Sequence, residues 1–260
     1  EGYQIPSTYA ELIDTMQQIK KAGKLPIIFA DKDSWTIHQG WDAIDMSSRG
    51  SQDDFFQNVL NGDAFLYEDS IALDSTRKFL EIRKYGQKQT VNTGYDEAVK
   101  KFANGEAYMF FQGNWAYPMI KKINPDIDLL FMPFPAYHEN QAKVVVKIDA
   151  TLGVSASCKH LEAVEQFLDY VFSKNVSEYY ADKAGAYSCI KSVDVEDSYA
   201  KAFTDSIRSG EFFLEEFAYE TEKSDAINAL FQNFISSPQR DTEKSFLKEL
   251  NDLLIQQKGD

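Results

Sequence analysis

The segment from Asn104 to Trp115, Asn-Gly-Glu-Ala-Tyr-Met-Phe-Phe-Gln-Gly-Asn-Trp, constrains the fold more than any other stretch of this chain. A turn signal at Asn104-Gly105 precedes an apolar run from Ala107 to Phe111; Gly113 breaks the run and Trp115 stands just beyond it. Turn, short buried strand, glycine break and helix is the order of elements at a strand end in an α/β sheet. Ligands of open α/β sheets collect at the carboxyl ends of the strands. An indole placed there either forms the flat apolar wall of a pocket or fills the core.

The chain has 260 residues, enough for one large domain or two smaller ones, and its 43% hydrophobic content marks it as globular. Aromatic residues make up 14% (19 Phe, 14 Tyr, 3 Trp), which suits carbohydrate binding and equally a dense core. The net charge of −14 is spread along the chain. Such a field repels phosphate backbones, so nucleic acid is not an expected partner, and a neutral ligand fits better than an anionic one. The two cysteines, Cys158 and Cys189, form no Cys-x-x-Cys, which excludes a zinc or thioredoxin-type motif. They are compatible with one disulfide in an exported protein or with two free thiols. No apolar stretch approaches the roughly 20 residues that span a bilayer. The chain opens at Glu1 without Met or a signal peptide, and is expected to be an internal piece of a longer precursor.

Hydrophobic periodicity predicts the elements. Thr8 and Glu11 form a capping box ahead of a helix carrying Tyr9, Leu12, Ile13, Met16 and Ile19; Gly23 ends it, and Leu25 to Ala30 is a buried strand. Asp31 to Gly40, with Trp35, is expected to be a loop leading into a helix at Trp41 to Met46. Further helices are expected at Asp54 to Leu60, Asp69 to Tyr85, around Tyr95 to Phe102, and from Trp115 to Ile123. Asp128 to Phe134, Val144 to Ile148 and Leu152 to Ala156 read as strands. The remaining helices are Leu161 to Phe172, Val176 to Lys183, Ser198 to Ser209, Ser224 to Ile235 and Thr242 to Leu254. There are no repeats or heptads.

Known catalytic and metal motifs are missing. His38, His138 and His160 lie far apart, with no His-Glu-x-x-His, Gly-x-Ser-x-Gly or P-loop. Asp31-x-Asp33 starts like a calcium loop, but Trp35 and Thr36 occupy the positions where a ligand and a glycine are needed. What remains is an aromatic and amide set: Trp35, Trp41, Tyr108, Gln112, Asn114, Trp115 and Tyr117. Aromatic rings match the C–H faces of sugars, and amide and carboxylate groups match their hydroxyl edges.

Four stretches resemble a family. Pro6-Ser-Thr-Tyr-Ala-Glu-Leu, followed by a helix to Lys21-Ala-Gly and the strand Leu25-Pro-Ile, is the first. The second is Phe102-Ala-Asn-Gly-Glu-Ala-Tyr-Met-Phe-Phe-Gln-Gly-Asn-Trp115. The third is Leu152-Gly-Val-Ser-Ala-Ser-Cys through the helix to Phe172, and the fourth is the helical tail from Thr242. In this order they are similar to the carbohydrate class of extracellular solute-binding proteins of ABC importers, the maltose-binding-like family 1. The resemblance implies an α/β, periplasmic-binding-protein-like (type II) two-lobe architecture. Residues 1–133 and 193–260 would form the second lobe and 138–190 the returning part of the first, which would be incomplete. It implies a ligand site of Trp115, Asn114 and Gly113 with Trp35 and Asp33, joined by Asp149, Glu216 and Tyr219. It implies no catalysis, cofactor or metal, and a sugar or oligosaccharide as ligand. The expected partners are the permease subunits of the importer, the expected state a monomer, and the expected location extracellular or periplasmic, anchored by an N-terminal lipid in the precursor. The rival readings are a non-catalytic adhesive surface domain and a glycoside-active enzyme fragment, whose paired carboxylates cannot be picked out from 41 acidic residues.

Overall fold

Thr8 and Glu11 cap each other: the Glu11 amide donates to the Thr8 hydroxyl, and the Thr8 amide donates to the Glu11 carboxylate. From this box α1 (Tyr9–Lys21) runs with Leu12, Met16 and Ile19 on its buried side, and a turn at Gly23 leads into β1 (Leu25–Ile28). The structure, a computed structural model, describes residues 2–49, 54–135, 143–146, 151–184, 187–193, 205–210, 212–214, 221–237 and 242–255.

β1 pairs in parallel with β2 (Ala107–Phe110), Leu25 opposite Ala107 and Ile28 opposite Phe110. Parallel strands need a crossover. Here it runs through α2 (Trp35–Arg49), α3 (Phe55–Asn61), α4 (Ser70–Arg83) and α5 (Tyr95–Ala103). Side chains alternate across the pair. Ile27, Phe29, Met109 and Phe111 face the main core with Met16, Trp41, Phe79 and Phe231, while Ile28, Ala30 and Phe110 pack with Tyr95, Ala98 and Phe102 of α5. Gln87 finishes the end of β1 by accepting from the Phe29 amide at 3.1 Å and donating to its carbonyl at 2.6 Å.

After α6 (Tyr117–Ile123) come β3 (Val144–Val146), α7 (Leu161–Val171) and α8 (Lys174–Ala184). They are followed by β4 (Phe212–Leu214), α9 (Thr221–Ser236) and α10 (Glu243–Ile255). β3 and β4 pair in parallel. α9 and α10 return to the first half of the chain: Phe231 meets Trp41 at 6.0 Å and Phe246 at 5.0 Å, and Phe234 stacks on Phe246 at 4.0 Å. α2 and α4 are joined by a buried ion network. Arg49 bonds Asp45 at 2.7 Å and Asp69 at 2.8 Å, and Asp69 also caps α4 through the Ala72 amide. The Arg49 guanidinium lies 3.9 Å from the Phe55 ring centre.

Several expectations need correction. Trp35 is not in a loop: α2 begins there, because Asp33 and Ser34 carbonyls already accept the amides of Thr36 and Ile37. Asp128 to Phe134 is not a strand. Ile127 and Leu129 pack on the α5–α6 cluster, Leu130 is exposed, and no strand pairs with this stretch among the described residues. Leu152 to Ala156 is exposed and irregular for the same want of a partner. Of Ser198 to Ser209, only 205–209 lies within the described residues, and it is helical; Val144–Val146 is the described part of the strand expected to reach Ile148. Cys158 and Cys189 are both free thiols.

Candidate functional site

The carboxyl ends of β1 and β2 lie side by side, so the segments that follow them, 29–35 and 111–115, form one rim. Trp35 and Trp115 leave this rim from opposite strands, and their ring centres stand 6.2 Å apart at 55°. A third ring, Tyr95 at the start of α5, lies 5.3 Å from Trp35 and stacks over Phe110, the last residue of β2, at 6.3 Å. All three rings are half-buried. Burial, reinforced by the neighbouring Asp96 carboxylate, pushes the Tyr95 phenol up to about 12, so it is neutral across the physiological range.

Gly113 is required by contact. A Cβ there would fall 2.0, 2.3 and 2.4 Å from three carbon atoms of the Trp115 indole. The ring is folded back over its own backbone two residues earlier, which only glycine permits. Asn114 opens the 3-10 turn that carries Trp115, with the Ala116 amide donating to the Gly113 carbonyl at 3.2 Å. Asp33 is at the same rim, but its Oδ2 accepts the Tyr95 amide at 2.6 Å, capping α5 from 62 residues away. Next to it, Asp31 is buried and ion-paired with Arg83 of α4, and its carbonyl accepts from Gln232 of α9 at 3.1 Å.

The structure thus brings together Trp35, Asp33, Gly113, Asn114 and Trp115. Asp149, Glu216 and Tyr219 lie outside the described residues, as does His138. Trp41 does not belong with the set: it is 1% exposed and its indole N–H donates to the Thr76 hydroxyl at 2.9 Å. Tyr108 and Tyr117 do not join the three-ring group; Tyr108 meets Tyr3 and Tyr117 meets Phe131. Sequence reasoning missed Tyr95, read only as part of an amphipathic helix. Its sole sequence signal is a position at a helix start after Gly94, and nothing local says that Asp33 and Trp35 meet it. Among the described residues no group of three His, Cys, Asp or Glu side chains is arranged to hold a metal. The chemistry offered is that of a wall: apolar ring faces bordered by amide and carboxylate groups.

Known proteins share this arrangement of the chain. The sequence profile of the family described as bacterial extracellular solute-binding protein matches residues 1–177. The multiple sugar-binding protein of Streptococcus mutans serotype c is 28% identical over 200 residues, covering 74% of this chain and 47% of that protein. The chain therefore spans about half the length of that curated relative. The complex of RafE, a protein of Streptococcus pneumoniae, with raffinose matches at a TM-score of 0.75 and 22% identity, over 98% of this chain and 67% of that one. A putative binding protein, MsmE, of Bacillus subtilis subsp. subtilis str. 168 in an open conformation matches at a TM-score of 0.77 and 17% identity, over 100% of this chain and 68% of that one. The fold is that of type II periplasmic-binding proteins, and the chain spans about two-thirds of these structures.

Proposed function

Because this chain belongs to the family of bacterial extracellular solute-binding proteins, we propose that it is the sugar- or oligosaccharide-binding part of an ABC importer. Membership places it among proteins that capture a solute rather than transform one. The observation that carries the reading is the Trp115 indole laid over Gly113, beside Trp35 and Tyr95, at the carboxyl ends of two parallel strands. A flat ring stacks on the C–H face of a pyranose, and Asn114 and Asp33 border it with groups that pair with hydroxyls. Asp149, Glu216 and Tyr219 are proposed to complete the site. The net charge of −14 favours a neutral saccharide, in keeping with the raffinose held by RafE and with the name of the Streptococcus mutans relative.

The division into lobes is part of the proposal: 1–133 with 193–260 as one, and 138–190 as the returning portion of the other. It is supported by α7, none of whose residues is buried although Leu161, Val164, Phe167, Leu168 and Val171 fall on one side of it. Ligand bridging two lobes would favour a hinge-closed form. That form would dock on the permease subunits outside the cytoplasm, held near the membrane by an N-terminal lipid of the precursor and working as a monomer.

Calorimetry of the full-length protein against neutral mono- to tetrasaccharides tests the reading. The expected dissociation constant is about micromolar, roughly −8 kcal/mol. Trp115→Ala is expected to weaken binding by about 1–3 kcal/mol while the circular dichroism spectrum is kept. Unchanged affinity in that variant removes Trp115 from the site. Absence of any binding or thermal shift across the sugars leaves the adhesive-domain reading in its place.

A further inference from the structure

We propose that a small recess beside the aromatic wall receives a single hydroxyl of the bound sugar, which donates to Gln112 Oε1. This rests on the sugar-binding reading above and names a contact within it. The recess lies between the ends of the two strands and is bordered by Asp31, Thr36, Arg83, Phe111 and Gln112. It is partly enclosed and has room for about one water-sized group, so a hydroxyl enters and a sugar ring does not.

The polar groups around it are committed, with one exception. The Asp31 carboxylate is paired with Arg83, and the Thr36 hydroxyl donates to the Ala30 carbonyl at 3.2 Å. Gln112 Oε1 is enclosed and has no hydrogen-bond partner among the described residues; the main-chain N–H of Gln112 donates to the Phe110 carbonyl at 3.1 Å and leaves the side-chain oxygen unpaired. A buried amide oxygen is rarely left without a donor. The Arg83 cation bordering the same recess favours an oxygen facing it over an NH2 group.

The position selects the donor. Gln112 stands three residues before Trp115, and Thr36 follows Trp35, so the recess lies between the two segments that carry the stacking rings. A pyranose lying on those rings presents its hydroxyls at the ring edge, one of which reaches into the recess. A site that hydrogen-bonds a buried hydroxyl rejects analogues that lack it, because the protein acceptor is then stranded. Gln112 is therefore a specificity-determining residue, choosing sugars by the presence of one hydroxyl at one ring position.

The test is a cycle in the full-length protein between Gln112→Met, which keeps the side-chain length and removes the acceptor, and monodeoxy analogues of the sugar that binds tightest among neutral mono- to tetrasaccharides. Gln112→Met is expected to weaken that sugar about 5- to 50-fold, with the melting temperature held. One deoxy analogue is expected to lose a similar factor on the wild type and to lose nothing more on Gln112→Met. Equal affinity of Gln112→Met and wild type overturns the proposal. So do losses that multiply for every analogue, which assign the recess to water alone. If Trp115→Ala weakens binding and Gln112→Met does not, the recess proposal fails and the sugar-binding reading stands. If wild type binds none of the sugars, both fail.

Discussion

Gly113 and Trp115 act as a unit, since the ring occupies the space where any side chain at 113 would stand. The backbone at Gly113 (φ −87°, ψ 178°) is open to every residue, so the demand comes from packing and not from conformation. Gly113→Ala is therefore expected to displace the indole: sugar affinity should fall about as far as in Trp115→Ala, with a stability loss of about 1–3 kcal/mol in urea melts. The contrast with Trp41 shows what residue type leaves undecided. Both tryptophans are carried by helical segments that follow a strand, but Trp115 stands in the first turn after β2 whereas Trp41 lies in the middle of α2 and faces Thr76 and Phe231 in the core. Asp45 is the other residue with a sharp consequence. It is fully buried and shares its cation, Arg49, with Asp69, so burial outweighs the attraction and raises its pKa to about 6 from 3.8. The folded state then holds a proton that the unfolded chain has released between these values. Its stabilising contribution is present below about pH 3.8 and is lost as pH rises through about 6. Asp45→Asn removes this titration. Denaturation at pH 5 and pH 7.5 should show wild type losing stability relative to the variant on going to the higher pH.

Elements differ in how much of them local sequence can specify. The capping box of α1, the glycine that ends that helix (Gly23, φ 74°) and the 107–110 strand are written in neighbouring residues, and all three form where periodicity and turn chemistry put them. Asp128 to Phe134 carries the apolar run Leu129-Leu130-Phe131-Met132 that a buried strand would, but a strand needs a backbone neighbour, and among the described residues its side chains pack instead on the α5–α6 cluster and, through Phe134, on Phe111 and Tyr9. β4 has no local signature because Phe212–Leu214 is short and is defined by its partner, Val144–Val146. The start of α2 is hidden from local sequence because Asp31-x-Asp33-Ser34 has loop composition, although those residues form its entry turn. In the site, Gly113 and Trp115 were legible from their spacing, whereas Tyr95 and the Asp31–Arg83 pair depend on distant elements. The cap on α5 joins these levels, since Asp33 holds the amide of the residue whose ring backs Trp35. Asp33→Ala should cost about 1 kcal/mol of stability and weaken sugar binding in calorimetry. Asp33→Asn, whose amide oxygen still accepts from Tyr95, should recover most of the stability.

At the scale of the molecule an apolar face lies open on α7 and α8, where Leu161 is 58%, Phe167 56%, Tyr170 66% and Tyr179 66% exposed. Soluble monomers seldom leave large apolar patches of this kind open, and those that persist mark an interface. Under the lobe division proposed above, the face is covered in the full-length protein by the remainder of the first lobe. The two states make different demands on one side chain. On an open surface Phe167→Ala changes stability by no more than about 0.5 kcal/mol, whereas a phenylalanine enclosed in a core costs about 3–5 kcal/mol when cut to alanine. In urea melts the full-length protein should show the large loss and the 260-residue chain alone the small one. A small loss in both would place 138–190 on a solvent-facing surface and remove it from any second lobe.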